Sequence, residues 1–166
     1  MKQDDTVVPE SPEPRWLHGV ERDAWLSLIG VIIRLPASLD TQLQRDAGLS
    51  HFEYIVMVNL SNADGHVLRM SQLAALCHSS LSRLSHVVAR LERRSWLRRD
   101  PCPDDGRATL ATLTDEGFAK LASAAPGHVD AVREYVIDAL DPQQLSQLTA
   151  IGETILGRLD GDTPRR

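Results

Sequence analysis

Residues 79–107 read SSLSRLSHVVARLERRSWLRRDPCPDDGR, and the fold turns on how this stretch is read. At about 100° per residue, Leu81, Leu84, Val87, Val88 and Leu91 gather on one side of a helix. Ser79, Ser82, Arg83, His86, Arg90 and Arg93 fall on the opposite side. One face, Leu81 included, is therefore expected to be buried. The other carries hydroxyls, an imidazole and guanidiniums, the groups that contact phosphates and base edges. After the helix come Trp96–Asp100, a turn cluster from Pro101 to Gly106, and Ala108–Leu113, which together predict a two-stranded ribbon.

Working outward, Ser71 is expected to cap a brief helix, SQLAALC, and His78-Ser79-Ser80 turns the chain into the longer one. Two short helices joined by a tight turn form a helix-turn-helix, whose second member lies in the major groove of DNA. Upstream, Val67–Met70 suits a short strand. Ser50-His51-Phe52-Glu53 is a capping box that starts a helix ending near Asn62. Residues 16–45 read as one long apolar helix that Pro36 should kink or split. Downstream, Thr114 caps a helix that Pro126-Gly127 should bend, and Asp141-Pro142 opens a last helix. The expected fold is mainly α with a small β-wing: a winged helix-turn-helix core, about 50–113, between long helices at about 16–45 and 114–159 that suit a subunit interface.

The 166 residues fit one domain, 15–166, preceded by an acidic, proline-rich tail at 1–14 that is expected to be disordered. Net charge is −5, which argues against a uniformly basic nucleic-acid binder. Residues 79–107, however, carry seven arginines against four acids, so +3 sits there and −8 on the remainder. An acidic body with one basic patch orients itself on a polyanion. Two cysteines, Cys77 and Cys102, make neither a disulfide framework nor a zinc pair, and fit a cytoplasmic setting. No metal or cofactor is expected. No apolar run reaches about 18 residues, so no membrane span is expected. The motifs of an enzyme, such as a glycine-rich phosphate loop, His-Glu-x-x-His or a nucleophile elbow, are not found in the sequence.

Several stretches resemble the MarR family of bacterial transcription regulators: LRMSQLAALC (68–77), SRLSHVVARLERRSWLRRDPCPDDGRA (82–108), LTDEG (113–117) and APGHVDAVREYVIDALDPQQLSQL (125–148). The most specific part is the DDGR wing tip followed about eight residues later by LTDEG. The resemblance implies a homodimer that presents two winged helices to a near-palindromic double-stranded DNA operator. It also implies repression relieved by a small, often aromatic or phenolic, effector. Related sequences often carry glycine where His78 and Ser95 stand, so both positions are expected to need φ > 0. They often carry more polar or basic residues where Ser80 and Leu81 stand.

Candidate DNA-contacting residues are Ser79, Ser80, Ser82, Arg83, Ser85, His86, Arg90, Asp105 and Arg107. Arg83 and His86 are the candidates for base edges, and the serines are short donors for phosphate or base. The resemblance has Arg107 reach the minor groove, its side chain held by an ion pair to Asp105. Arg90, Arg93, Arg98 and Arg99 are read as phosphate-binding or structural. Trp16, His18, Trp25, His51 and Tyr54 are candidates to line a ligand cleft, with His128 ambiguous in the same way. Two alternatives stand beside this reading. One is a redox-responsive regulator acting through Cys77, expected to be buried, or Cys102, expected to be exposed. The other is a winged helix that binds protein and no DNA.

Overall fold

The computed structural model describes residues 13–103 and 105–161, so the tail expected at 1–14 lies almost wholly outside the described residues. The element order is α1 (Val20–Ala47), α2 (His51–Ser61), β1 (Val67–Arg69), α3 (Met70–Leu76), α4 (Leu81–Arg93), β2 (Leu97–Cys102), β3 (Asp105–Leu113), α5 (Asp115–Val132) and α6 (Pro142–Gly161). It is the expected mainly helical architecture with a small β-wing. The chain divides into two compact units, Met1–Arg34 and Leu35–Arg166.

The first unit holds the start of α1. The helix begins at Val20 rather than Trp16, because Gly19 takes φ +50° and turns the chain just before it. Trp16, Val20, Trp25, Val31, Ile32 and Ile33 are all exposed. Of the kink or split expected at Pro36, the split does not occur: α1 runs unbroken through it. Ile32, whose carbonyl the ring of Pro36 displaces, is exposed, so water can take up the freed acceptor. By length and composition alone α1 could cross a membrane, which corrects the expectation that no segment qualifies.

The second unit is built on a core of Leu43, Leu49, Val56, Met57, Leu60, Leu73, Leu84, Val88 and Leu91, all fully buried. These residues come from the end of α1 and from α2, α3 and α4. Each such side chain stabilises the fold by about 1.5–3 kcal/mol relative to exposure. The ribbon is three-stranded, in the order β1-β3-β2 and antiparallel throughout, with Leu97 opposite Leu113 and Val67 opposite Thr112. Its strands run further toward the tip than expected, to Cys102 and from Asp105. Pro101 still pairs with Thr109, and the register shifts between Pro101 and Cys102, where Gly106, Arg107 and Ala108 of β3 have no opposite residue on β2.

Local signals fix the helix starts. Ser50 Oγ accepts from Glu53 N at 3.1 Å, and Glu53 Oε2 accepts from Ser50 N at 2.8 Å. Asp141 and Gln144 make the same reciprocal pair at α6, at 2.8 and 2.9 Å. Ser71 does not cap α3: the helix starts one residue earlier, at Met70, with Gln72 Oε1 accepting from Arg69 N at 3.2 Å. Pro126 lies inside α5 without breaking it. The irregularity comes later, as a wide π-type turn at Arg133–Ile137 closed by Asp138 N to Arg133 O at 2.8 Å. No residue of α6 is buried.

Candidate nucleic-acid interface

The turn between α3 and α4 is a Schellman motif. His78 N donates to Ala75 O at 3.0 Å and Ser79 N to Ala74 O at 2.9 Å, with His78 at φ +45°. α4 ends the same way: Ser95 N donates to Glu92 O at 2.9 Å and Trp96 N to Leu91 O at 3.0 Å, with Ser95 at φ +60°. Both positive φ values expected from the sequence are present. His66, at φ +59°, is a third that the sequence reading missed. These two motifs set the length of α4 and the angles at which the chain enters and leaves it.

On α4, Leu84, Val87, Val88 and Leu91 are buried as expected, but Leu81 is 52% exposed. Periodicity places Leu81 on the buried side, yet in the first turn the helix has already run past the core. Ser82, Arg83 and His86 are exposed, and Ser79 and Ser85 are half-buried. Ser80 is exposed, but its Oγ is the N-cap and accepts from Arg83 N at 3.2 Å, leaving its proton to donate. The Arg83 guanidinium lies 4.4 Å from the centre of the Phe52 ring. That stacking holds the side chain in place while leaving its N–H groups available.

Most of the other arginines have structural work. Arg90 Nε donates to Glu53 Oε1 at 3.1 Å, and the Glu53 side chain is only 5% exposed. Arg99 grips Glu92 at 2.6 and 2.9 Å, an arrangement that holds the Glu92 carboxyl below its ordinary pKa. Arg98 pairs with Asp100 at 2.6 Å, and Arg94 donates to Gly48 O at 2.8 Å. Among the described residues, Arg83, Arg93 and Arg107 make no ion pair. The +3 of this stretch is thus concentrated on fewer side chains than composition suggested.

At the wing tip, Asp105 Oδ1 accepts from the backbone N of Arg107 at 3.1 Å. The expected ion pair to the Arg107 side chain is not made. The carboxylate instead shapes the turn, and the exposed guanidinium is left to reach outward. Cys102, expected to be exposed, is 6% exposed. At the base of the wing, Thr114 Oγ1 donates to Ser95 O at 2.7 Å and accepts from Gly117 N at 3.0 Å, while Thr114 N donates to Trp96 O at 3.1 Å. Gly117 passes so close that a Cβ there would lie 2.0 Å from Trp96 O. This contact is the physical reason for glycine in the LTDEG stretch.

Two of the five cleft candidates come together. Tyr54 and His51 both neighbour His128, with ring centres 4.4 and 5.7 Å away. Burial pushes the pKa of His51 down, partly opposed by the Asp40 carboxylate. Burial and the nearby His51 both push His128 down. His128 Nδ1 and the Oε1 of buried Gln42 are buried without a hydrogen-bond partner. Trp16, His18 and Trp25 belong to the first compact unit, and the two tryptophans are exposed there. Cys77 is half-buried rather than buried, and burial pushes its thiol up, away from the thiolate an oxidant sensor needs. Sequence reading missed Glu53 as the partner of Arg90. Glu53 showed only its local capping role, since Arg90 lies 37 residues away.

With this geometry in hand, the chain can be set beside known proteins. The sequence profile of the MarR family matches residues 47–108. The crystal structure of Sco3205, a MarR family transcriptional regulator from Streptomyces coelicolor, in complex with DNA, superposes with a TM-score of 0.85 at 46% identity, covering 93% of this chain and 95% of that one. AbsC, a MarR family regulator from the same organism, gives 0.85 at 38% identity, covering 90% and 100%. The regulator PecS of Dickeya dadantii is 28% identical over 137 residues, 80% of each chain. The transcriptional repressor MprA of Escherichia coli is 25% identical over 113 residues, 68% of this chain and 64% of that protein.

Proposed function

Because this chain belongs to the MarR family, a family of transcription regulators and not of enzymes, we propose that it binds a near-palindromic double-stranded DNA operator as a homodimer and represses transcription until a small effector binds. The observation that carries this is the outer face of α4. Ser82, Arg83 and His86 stand exposed there, with Arg83 stacked on Phe52 and the exposed Arg107 on the neighbouring wing. Helix-turn-helix dimers place two such helices about 34–36 Å apart, one DNA turn. Arg83 and His86 read base edges; Ser79, Ser80, Ser82 and Ser85 contact phosphate or base; Arg107 enters the minor groove on a turn shaped by Asp105. Arg90 contributes by bracing α4 against Glu53.

A single domain contains the winged helix at about 50–113 and the flanking helices that dimerise. The exposed apolar residues of α1 and of α6, such as Ile33, Leu148, Ile151 and Leu156, are the surface a second copy would cover. An aromatic or phenolic effector suits the cluster of Tyr54, His51 and His128, which offers ring faces and buried polar atoms in want of a partner. It acts only if it binds the DNA-incompetent arrangement better than the competent one. The setting is cytoplasmic.

The test is a titration of the purified chain against DNA selected from a random pool, at several salt concentrations. Arg107→Ala should weaken binding to all sequences and reduce the salt slope by about 1. Arg83→Ala should relax specificity at one base pair per half-site. A chain that retards no DNA at low salt, yet co-purifies with a protein, would instead be an interaction module.

A further inference from the structure

We propose that Leu81 reads a thymine, through its C5-methyl group, at one position of each half-site. This rests on the DNA-binding reading above. Four apolar residues of α4 are 0–4% exposed, whereas Leu81, on the same side by periodicity, is 52% exposed. It lines a groove between α4 and the wing together with Met70, Ser85, Arg107 and Ala108. Ser82, Arg83 and His86 line a separate groove on the side of α4 facing Phe52. The helix therefore offers donors on both flanks, Ser82, Arg83 and His86 on one and Ser85 on the other, with the branched hydrocarbon of Leu81 beside Ser85.

The first turn of a recognition helix is the part that meets base edges. In the major groove the C5-methyl of thymine is the one apolar feature, and every other base edge offers donors or acceptors. Leu81 can satisfy none of these. Opposite guanine, cytosine or adenine it would strip water from polar atoms and return no hydrogen bond, a loss worth roughly tenfold in affinity. Opposite thymine it buries a methyl group instead. That gain is about fourfold per half-site, the affinity equivalent of ~0.8 kcal/mol for one buried methylene-sized group. Leu81 is half-exposed and outside the core cluster, so its replacement leaves the fold intact.

The experiment starts with binding-site selection by the wild type and by Leu81→Ala, with thermal melting to verify that both are folded. The wild-type motif should contain a thymine in each half-site that the Leu81→Ala motif loses while its other positions persist. Deoxyuridine, which removes only the methyl, is then placed at each thymine in turn. At the Leu81 position it should weaken wild-type binding about fourfold per half-site and leave Leu81→Ala binding unchanged. If no thymine shows this methyl dependence, or if Leu81→Ala shows it equally, the proposal is overturned while DNA binding stands. If neither protein binds any DNA, the regulator reading fails and takes this inference with it.

Discussion

Gly117→Ala should be among the most damaging small substitutions in the chain. The new Cβ would lie 2.0 Å from Trp96 O, 2.9 Å from Trp96 C and 2.8 Å from a Leu113 methyl. Two of these atoms are backbone, so no rotamer change relieves the overlap. Restoring ordinary contact needs a shift of about 1 Å or more between α5 and the base of the wing, which overpacked sites resist at about 1–3 kcal/mol. Such a shift breaks the Thr114 N to Trp96 O bond and strains the two made by Thr114 Oγ1, to Ser95 O and from Gly117 N. Three hydrogen bonds at about 1 kcal/mol each are then at risk. Alanine's better helix propensity returns only about 1 kcal/mol. The net expectation is a destabilisation of about 3 kcal/mol, or roughly 10 °C in Tm for a chain of this size. Urea unfolding of both proteins at one fixed concentration measures it, since the proposed dimerisation would make apparent stability depend on concentration. A loss below about 0.5 kcal/mol, within the range of neutral surface changes, would show that the junction yields and that its close approach carries no constraint.

Two other expectations concern backbone and protons. His78→Gly and Ser95→Gly should each stabilise the chain by about 0.5–1 kcal/mol, because left-handed backbone costs a side-chain-bearing residue about 1–3 kcal/mol and part of the relief is lost to glycine's unfolded-state entropy; a lower Tm for either would refute the strain. His128 and His51 are held below the ordinary imidazole value of 6.5, so below that pH the unfolded chain binds more protons than the folded one. Stability should therefore be full above about pH 6.5 and fall as the solution is acidified. His128→Gln should lose less Tm between neutral and acid pH than the wild type, and an equal loss would assign the effect elsewhere.

What the sequence made legible was local. Ser50 with Glu53, Thr114 before Asp115, and Asp141 before Pro142 each declare a helix start within four residues, and all three caps are formed. The apolar stripe of α4 was readable for the same reason, whereas the positive φ at His78 and Ser95 was expected only from the resemblance to sequences that carry glycine there. Leu81 was misread because a helical wheel knows direction but not where the neighbouring layer ends. Arg90 was left between phosphate binding and a structural role because its partner Glu53 is far off in the chain. Asp105 was paired with the wrong part of Arg107, since a carboxylate two residues away can serve either backbone or guanidinium. Pro126 was expected to bend α5; the helix runs through it without a break, from Asp115 to Val132.

The Thr114 hydroxyl, bonded both to the end of α4 and to the start of α5, turns the wing into a lever with its fulcrum at Ser95–Gly117. β3 spans eight residue steps from Leu113 to Asp105, about 27 Å at 3.4 Å per step. Arg107 lies six of those steps out, about 20 Å, so a rotation of α5 by about 5° would sweep it through roughly 2 Å. That distance separates a made hydrogen bond from a lost one. A disturbance too small to unseat α4 would then still lift the wing tip out of the minor groove proposed for Arg107.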